Sequence, residues 1–144
     1  MAQDDPFDLQ NFLPYLLTQA ADVSSLGFQR YYRDTYGMLR TEWRVIFHLG
    51  RYGTMTAKEI CKRARIHKTK VSRAVAALES KRFLSRAALP NDRRHEELTL
   101  TRTGEVAYVD LSREAARFDA ELVRTISEAD QETLRQCLRR ISGL

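Results

Sequence analysis

Residues 56–94 read TAKEICKRARIHKTKVSRAVAALESKRFLSRAALPNDRR, and the fold is decided there. The stretch holds twelve of the chain's 24 Lys and Arg but three of its 19 Asp and Glu. Its first four residues, Thr56-Ala57-Lys58-Glu59, have the spacing of a capping box, in which the threonine hydroxyl and the glutamate three positions on satisfy each other's free backbone amides. A helix therefore starts at this point, with Ile60, Cys61 and Ala64 as a narrow apolar stripe. From His67 to Arg82 a second helix places Val71, Ala74, Val75 and Leu78 on one face at steps of three and four. The opposite face carries Thr69, Arg73, Ala76 and Ala77, with Lys70 and Ser72 at its edges. A solvated face would be filled with long side chains of both charges, whereas alanines leave room for a large partner to approach. Phe83 to Ala88 and Glu96 to Leu100 have strand character, and Pro90-Asn91-Asp92 supplies the turn between them, so that Asp92-Arg93-Arg94 forms the tip of a hairpin.

Outward from this centre the chain is helical and, on balance, acidic. Leu9, Phe12, Leu13, Leu16, Leu17, Ala20, Val23, Phe28 and Tyr31 predict one long helix from Leu9 to about Tyr36, with Pro14 in its first turn. Thr41 is read as the N-cap of a second helix through Trp43, Ile46, Phe47 and Leu49, stopped by Gly50 and Gly53. Beyond the hairpin, Thr101 or Thr103 caps a long helix containing Val106, Val109, Phe118 and Leu122, and a last helix opens at Ser127 and carries Leu134, Leu138 and Ile141. The pattern predicts a mainly α (α+β) fold. It divides into an N-terminal helix at 1–40, a basic central lobe at 41–100 and C-terminal helices at 101–144.

Composition removes several classes of function. Cys61 and Cys137 are far apart, with no CxxC and no partnered histidine, and His48, His67 and His95 have no metal-ligand spacing, so no disulfide framework and no metal site is predicted. Cys61 is read as a small buried filler, and Cys137 lies in the last helix. No cofactor is called for, because there is neither a glycine-rich phosphate loop nor a nucleophile elbow, and no convergent polar constellation suggests an enzyme. No apolar run approaches a membrane span, and the acidic start at Met1 to Asp8 lacks a signal peptide's basic region, so a soluble cytoplasmic protein is expected.

Two short helices joined by a tight turn and followed by a cation-tipped hairpin form a winged helix-turn-helix, whose second helix enters the major groove while the wing follows the backbone. The same segment, Ile60 to Phe83 followed by Asp92-Arg93-Arg94-His95-Glu96-Glu97-Leu98-Thr99-Leu100-Thr101-Arg102-Thr103-Gly104, resembles the MarR (multiple antibiotic resistance regulator) family, whose wing pattern D-x-R-x3-L-x-L-T-x-x-G it matches. The element order over nearly the whole chain resembles that family as well. The resemblance implies a homodimer whose first and last helices intertwine, each winged lobe reading half of a pseudo-palindromic operator in double-stranded DNA. It also implies release by a small, phenolic or anionic effector. On the same basis Lys68, Thr69, Lys70, Ser72 and Arg73 correspond to recognition-helix contacts, and Arg94, beside Arg93, to the wing arginine of the minor groove. Asp92 corresponds to the acid that orients the wing, and capping of the turn is an equal reading of that residue. The aromatic residues Phe28, Tyr31, Tyr36, Trp43 and Phe47 surround the junction where the family's effector pocket lies, although aromatic residues at helical spacing are more often ordinary core.

The chain departs from the family at three points. Arg65 and Arg82 stand where glycine is common, so either these arginines adopt a strained backbone or the turns differ, and His67 stands where a Ser or Asp N-cap is expected. The function read from the sequence is a ligand-responsive repressor acting by operator occlusion. The alternative is a winged-helix protein-interaction or RNA-binding module without operator specificity.

Overall fold

The computed structural model describes residues 6–144; residues 1–5, with which the expected N-terminal segment and its acidic start begin, lie outside the described residues. From residue 6 onward, a 3-10 turn at Leu9–Asn11 precedes α1 (Leu13–Tyr36), α2 (Arg40–Tyr52), β1 (Met55–Thr56), α3 (Ala57–Ala64), α4 (Lys68–Ser80), β2 (Leu84–Leu89), β3 (Asp92–Leu100), α5 (Arg102–Leu122) and α6 (Glu128–Ser142). This is a mainly helical winged fold.

Helix boundaries follow local chemistry more finely than periodicity can. The expected single helix from Leu9 is broken at Phe12, which is extended at φ −74° and ψ 110°. Asp8 caps the short first turn through its carboxylate, and Pro14 has no N–H with which to continue that turn into α1. Thr41 is not the N-cap of α2. That role falls to Leu39, whose carbonyl accepts from Glu42 N and Trp43 N at 3.0 and 3.2 Å, because burial of Met38 brings the chain back into helix early. Gly50 does not stop α2, which runs on to Tyr52 and ends at Gly53. Gly50 is a packing residue: a Cβ there would stand 2.4 Å from the ring of Tyr108 on α5.

The sheet has the order β1-β3-β2 and is antiparallel throughout, with Met55 opposite Leu98 and Leu84 opposite Leu100. The two-residue β1 is too short to carry a periodicity, so nothing in the local sequence signals it. Strand β3 is longer than expected and begins at Asp92, so the wing arginines belong to the strand itself. Helix α4 buries Val71, Ala74, Val75 and Leu78 against α2 residues Val45, Ile46 and Leu49, while Thr69, Arg73 and Ala76 are exposed and Ala77 is half-buried. Full burial of an aliphatic side chain of this size contributes about 2 kcal/mol, which makes this stripe the main anchor of the lobe. Gly104 lies so close to Phe83 that a Cβ would meet its carbonyl oxygen at 1.9 Å, which explains a glycine in the first turn of α5.

Both ends of α4 are set by basic residues in unusual roles. Arg65 and Arg82 adopt left-handed backbone, with φ of 54° and 64°, so the turns keep a glycine-like shape without glycine. Such a conformation costs an L-residue about 1 kcal/mol. Lys81, the C-cap of α4, sends its ammonium to the Gly37 carbonyl at 2.6 Å and to Glu42 Oε2 at 2.7 Å. Glu42 is almost fully buried at 4% exposure, and this ion pair fastens the recognition helix to the corner between α1 and α2. Lys81→Met should strand the carboxylate and cost about 3 kcal/mol. Arg82→Gly, by relieving the left-handed strain, should add about 1 kcal/mol. Chemical denaturation of both variants beside the wild type checks the pair; a Lys81→Met as stable as the wild type or a destabilised Arg82→Gly would refute this account of the α4 ends.

Candidate nucleic-acid interface

The helix-turn-helix is built from the capping box upward. Thr56 Oγ1 accepts from Glu59 N at 3.2 Å while Glu59 Oε2 accepts from Thr56 N at 2.7 Å, so both elements of the box are present. The turn passes through Arg65, and His67 then caps α4: its Nδ1 accepts from Thr69 N at 3.2 Å. The imidazole thus performs the task expected of Ser or Asp, with the other ring nitrogen left outward.

The candidate DNA contacts occupy two elements. Lys68, Thr69 and Lys70 form the first turn of α4, with Ser72 and Arg73 in the second, and all five are exposed. Arg93 and Arg94 are exposed at the start of β3. Asp92 acts through the backbone: its Oδ1 accepts from Arg94 N at 3.0 Å, while Oδ2 lies 3.7 Å from His95 Nε2. The carboxylate caps the turn, and by doing so fixes the strand that carries Arg94.

Between α3, α4 and the wing lies a cleft of about 670 Å³ whose walls include Lys58, Cys61, Lys68, Ser72, Arg86, Arg94 and His95. It brings Lys68 and Ser72 of the helix together with Arg94 of the wing, whereas Thr69, Lys70, Arg73 and Arg93 lie outside its walls. Lys58, Arg86 and His95 are not sequence candidates, because only the tertiary fold turns the first turn of α3 toward the wing. Cys61, expected to be buried, is half-buried and opens on this cleft, since α3 is too short to cover its own edge.

Charge counting overstates the free cations. Arg86 pairs with Glu79 at 3.2 Å and Glu96 at 3.7 Å, Lys81 is bound to Glu42, and the Arg63 guanidinium lies 4.0 Å from the centre of the Tyr52 ring. Arg65 donates to the carbonyls of Ser142 and Gly143.

The aromatic candidates form a continuous packed series. Phe28 meets Trp43 edge-on at 5.2 Å and stacks with Phe118 at 6.2 Å; Trp43 meets Phe47 at 5.0 Å, and Phe47 meets Tyr108 at 5.6 Å. Tyr31 and Tyr36 differ, because both hydroxyls donate to the same oxygen, Asp110 Oδ2, at 2.6 and 2.5 Å. The two phenols hold the Asp110 carboxyl below its usual range, and burial together with the hydrogen bond to Asp110 pushes the Tyr36 hydroxyl far up. Tyr36 and Asp110 also line an open groove of about 620 Å³ with Arg102, Glu105, Val106, Val109 and Arg113. Asp110 is not a sequence candidate, since nothing within α5 reveals that it faces α1. Among the described residues no three His, Cys, Asp or Glu side chains gather as a metal site, and no helix is long and apolar enough to cross a membrane.

A sequence model described as the MarR family matches residues 36–95, the segment that contains the helix-turn-helix and the wing tip. Over that segment the chain is similar to the MarR family. It is a winged-helix DNA-binding transcriptional regulator and not an enzyme. Over 106 residues it is 26% identical to YwoH, an HTH-type transcriptional regulator of Bacillus subtilis, covering 74% of this chain and 77% of that one. A MarR family transcriptional regulator from Silicibacter pomeroyi superposes with a TM-score of 0.79 at 25% identity, covering 96% of this chain and 93% of the other. BpsR of Bordetella bronchiseptica, whose DNA binding is regulated by 6-hydroxynicotinic acid, has the same fold, with a TM-score of 0.86 at 20% identity and coverage of 96% and 99%.

The half-buried Cys61 offers a direct probe of where DNA lies. In a Cys137→Ser background, saturating duplex DNA should slow alkylation of Cys61 by N-ethylmaleimide several-fold. An unchanged rate would place the DNA away from the cleft.

Proposed function

We propose that the protein is a homodimeric repressor that occupies a pseudo-palindromic operator and is released by a small aromatic anion. The observation that carries the reading is the shared cleft, in which Lys68 and Ser72 of α4 and Arg94 of the wing face one space. The domain division expected from the sequence fits this role, with 41–100 as the reading lobe and 1–40 and 101–144 as the dimerising parts.

Dimerisation is supported by apolar surface that the single chain leaves uncovered. Leu13, Leu16, Val23 and Leu26 of α1, Val106, Val109 and Leu122 of α5, and Leu134, Leu138 and Ile141 of α6 are all exposed, and α6 buries no residue at all. Stripes of this length on three helices are the mark of an interface. Occlusion of the operator is the simplest regulatory outcome for a dimer seated on two adjacent half-sites.

Effector control is supported by the Tyr31–Tyr36–Asp110 corner. Its groove sets Arg102 and Arg113, two cations suited to a carboxylate, with Glu105 and Asp110 beside the Tyr36 phenol, and the ligand that regulates BpsR is itself an aromatic hydroxy acid. A ligand can weaken DNA binding only by preferring a conformation in which the two recognition helices are wrongly spaced. Phenolic carboxylates are the first compounds to screen.

Arg73 lies on the exposed face of α4 beside Ala76, so the helix can sink into the major groove and the guanidinium can reach a base edge. Arg94 at the wing fits the minor groove, whose negative potential attracts cations without strong base preference. With an operator selected from a random duplex pool, Arg73→Ala should cost about 1–3 kcal/mol and relax preference at one or two base pairs. Arg94→Ala should weaken operator and A·T-rich non-cognate DNA alike and flatten the salt slope by about 0.9 for each phosphate that is no longer neutralised. Anisotropy titrations at several salt concentrations make the comparison; a sequence preference altered by Arg94→Ala alone would reverse the assignment. Tighter binding to single-stranded RNA than to duplex DNA would favour the RNA-binding alternative. Sedimentation should show a dimer at micromolar concentration, and a stable folded monomer would overturn the dimer reading.

A further inference from the structure

Arg65 has two properties that are hard to reconcile unless its side chain is needed. It occupies the left-handed turn between α3 and α4, at φ 54° and ψ 47°, where glycine would fit without strain. It also reaches across the fold to α6: its Nη1 donates to the Ser142 carbonyl at 2.5 Å and its Nη2 to the Gly143 carbonyl at 3.1 Å. These are carbonyls at the end of a helix, which lack intrahelical partners and carry the negative end of its dipole, so a two-pronged guanidinium is well matched to them. Few other side chains tether α6 to the rest of its chain. Arg135 pairs with Asp119 on α5 at 2.9 Å, and Gln131 Nε2 donates to the carbonyls of Val123 and Ile126 in the connection before the helix. No α6 residue is buried. The Arg65 contact therefore ties the far end of α6 to the pivot from which the recognition helix starts.

We propose that Arg65 is a positioning residue that sets the angle between the reading lobe and the helical base, and through it the distance between the two recognition helices on DNA. The proposal rests on the dimer reading, since one lobe alone has no spacing to set. The opposite end of α4 is tied by Lys81 to the α1–α2 corner. Releasing the Arg65 end leaves α4 packed in its lobe by Val71, Ala74, Val75 and Leu78 but frees the lobe from the far end of α6.

The test uses the full-length protein with three probes: the duplex selected from a random pool, the same duplex cut to one half-site, and the duplex with one base pair inserted between its halves. Arg65→Gly removes the guanidinium while relieving the backbone, so its melting temperature should equal or exceed that of the wild type. It should bind the full operator about tenfold more weakly, bind the half-site as the wild type does, and discriminate less against the inserted base pair. Arg65→Lys, which keeps the charge and a single donor, should be intermediate. Equal losses on full and half-site duplexes would make Arg65 a phosphate contact and overturn the proposal, as would wild-type behaviour on all three probes. Sedimentation of the wild type separates the two readings: a monomer defeats the dimer on which the proposal rests, whereas a dimer with unaltered spacing preference defeats the proposal alone.

Discussion

Lys81 Nζ is the point on which the arrangement of the reading lobe depends. Helix α4, of thirteen residues, is held to the core along one face by its apolar stripe, and its C-terminal end takes a further constraint. The ammonium supplies that constraint by bonding at once to a backbone carbonyl at the close of α1 and to a carboxylate within the first turn of α2. Because Glu42 is buried, the pair has no solvent-exposed alternative of equal energy, and the three helices meet in one arrangement. The aromatic series from Phe28 to Tyr108 packs the same corner from the other side, so the helix that reads DNA and the groove lined by Tyr36 share a boundary.

What can be read in the sequence is what chemistry fixes within a few residues. The capping box at Thr56 and Glu59, the buried stripe of α4 and the tight turn of the wing are local, and each carries its own physical signature. The start of α2 departs from expectation because Met38, pulled into the core, decides it, and a cap rule applied at Thr41 cannot see that burial. The strand β1 exists only because Met55 and Thr56 find Leu98 and Glu97 across the fold. His67 shows the reverse case: an imidazole nitrogen accepts the amide that Ser or Asp usually accepts, so the helix starts where periodicity puts it although the cap rule does not favour it.

The candidate site divides in the same way. Which face of α4 is outward follows from spacing, but which cations remain available does not. Glu79 and Glu96 claim Arg86, Glu42 claims Lys81 and helix-end carbonyls claim Arg65, all through contacts that no count along the chain reveals. The positive surface is consequently less uniform than its composition, and concentrates around the cleft between α4 and the wing. At the Tyr31–Tyr36 corner the decisive group, Asp110, lies 79 and 74 residues from the two tyrosines whose hydroxyls donate to it.

Trp43 is the single tryptophan of the chain, and it sits within the packed aromatic series, 5.2 Å from Phe28 and 5.0 Å from Phe47 between ring centres. Its indole is therefore a built-in optical reporter. Its emission comes from one tryptophan site, and that site is next along α2 to Glu42, the carboxylate held by Lys81. A change in how Phe28 and Phe47 pack around the indole therefore has a reporter in the unlabelled protein.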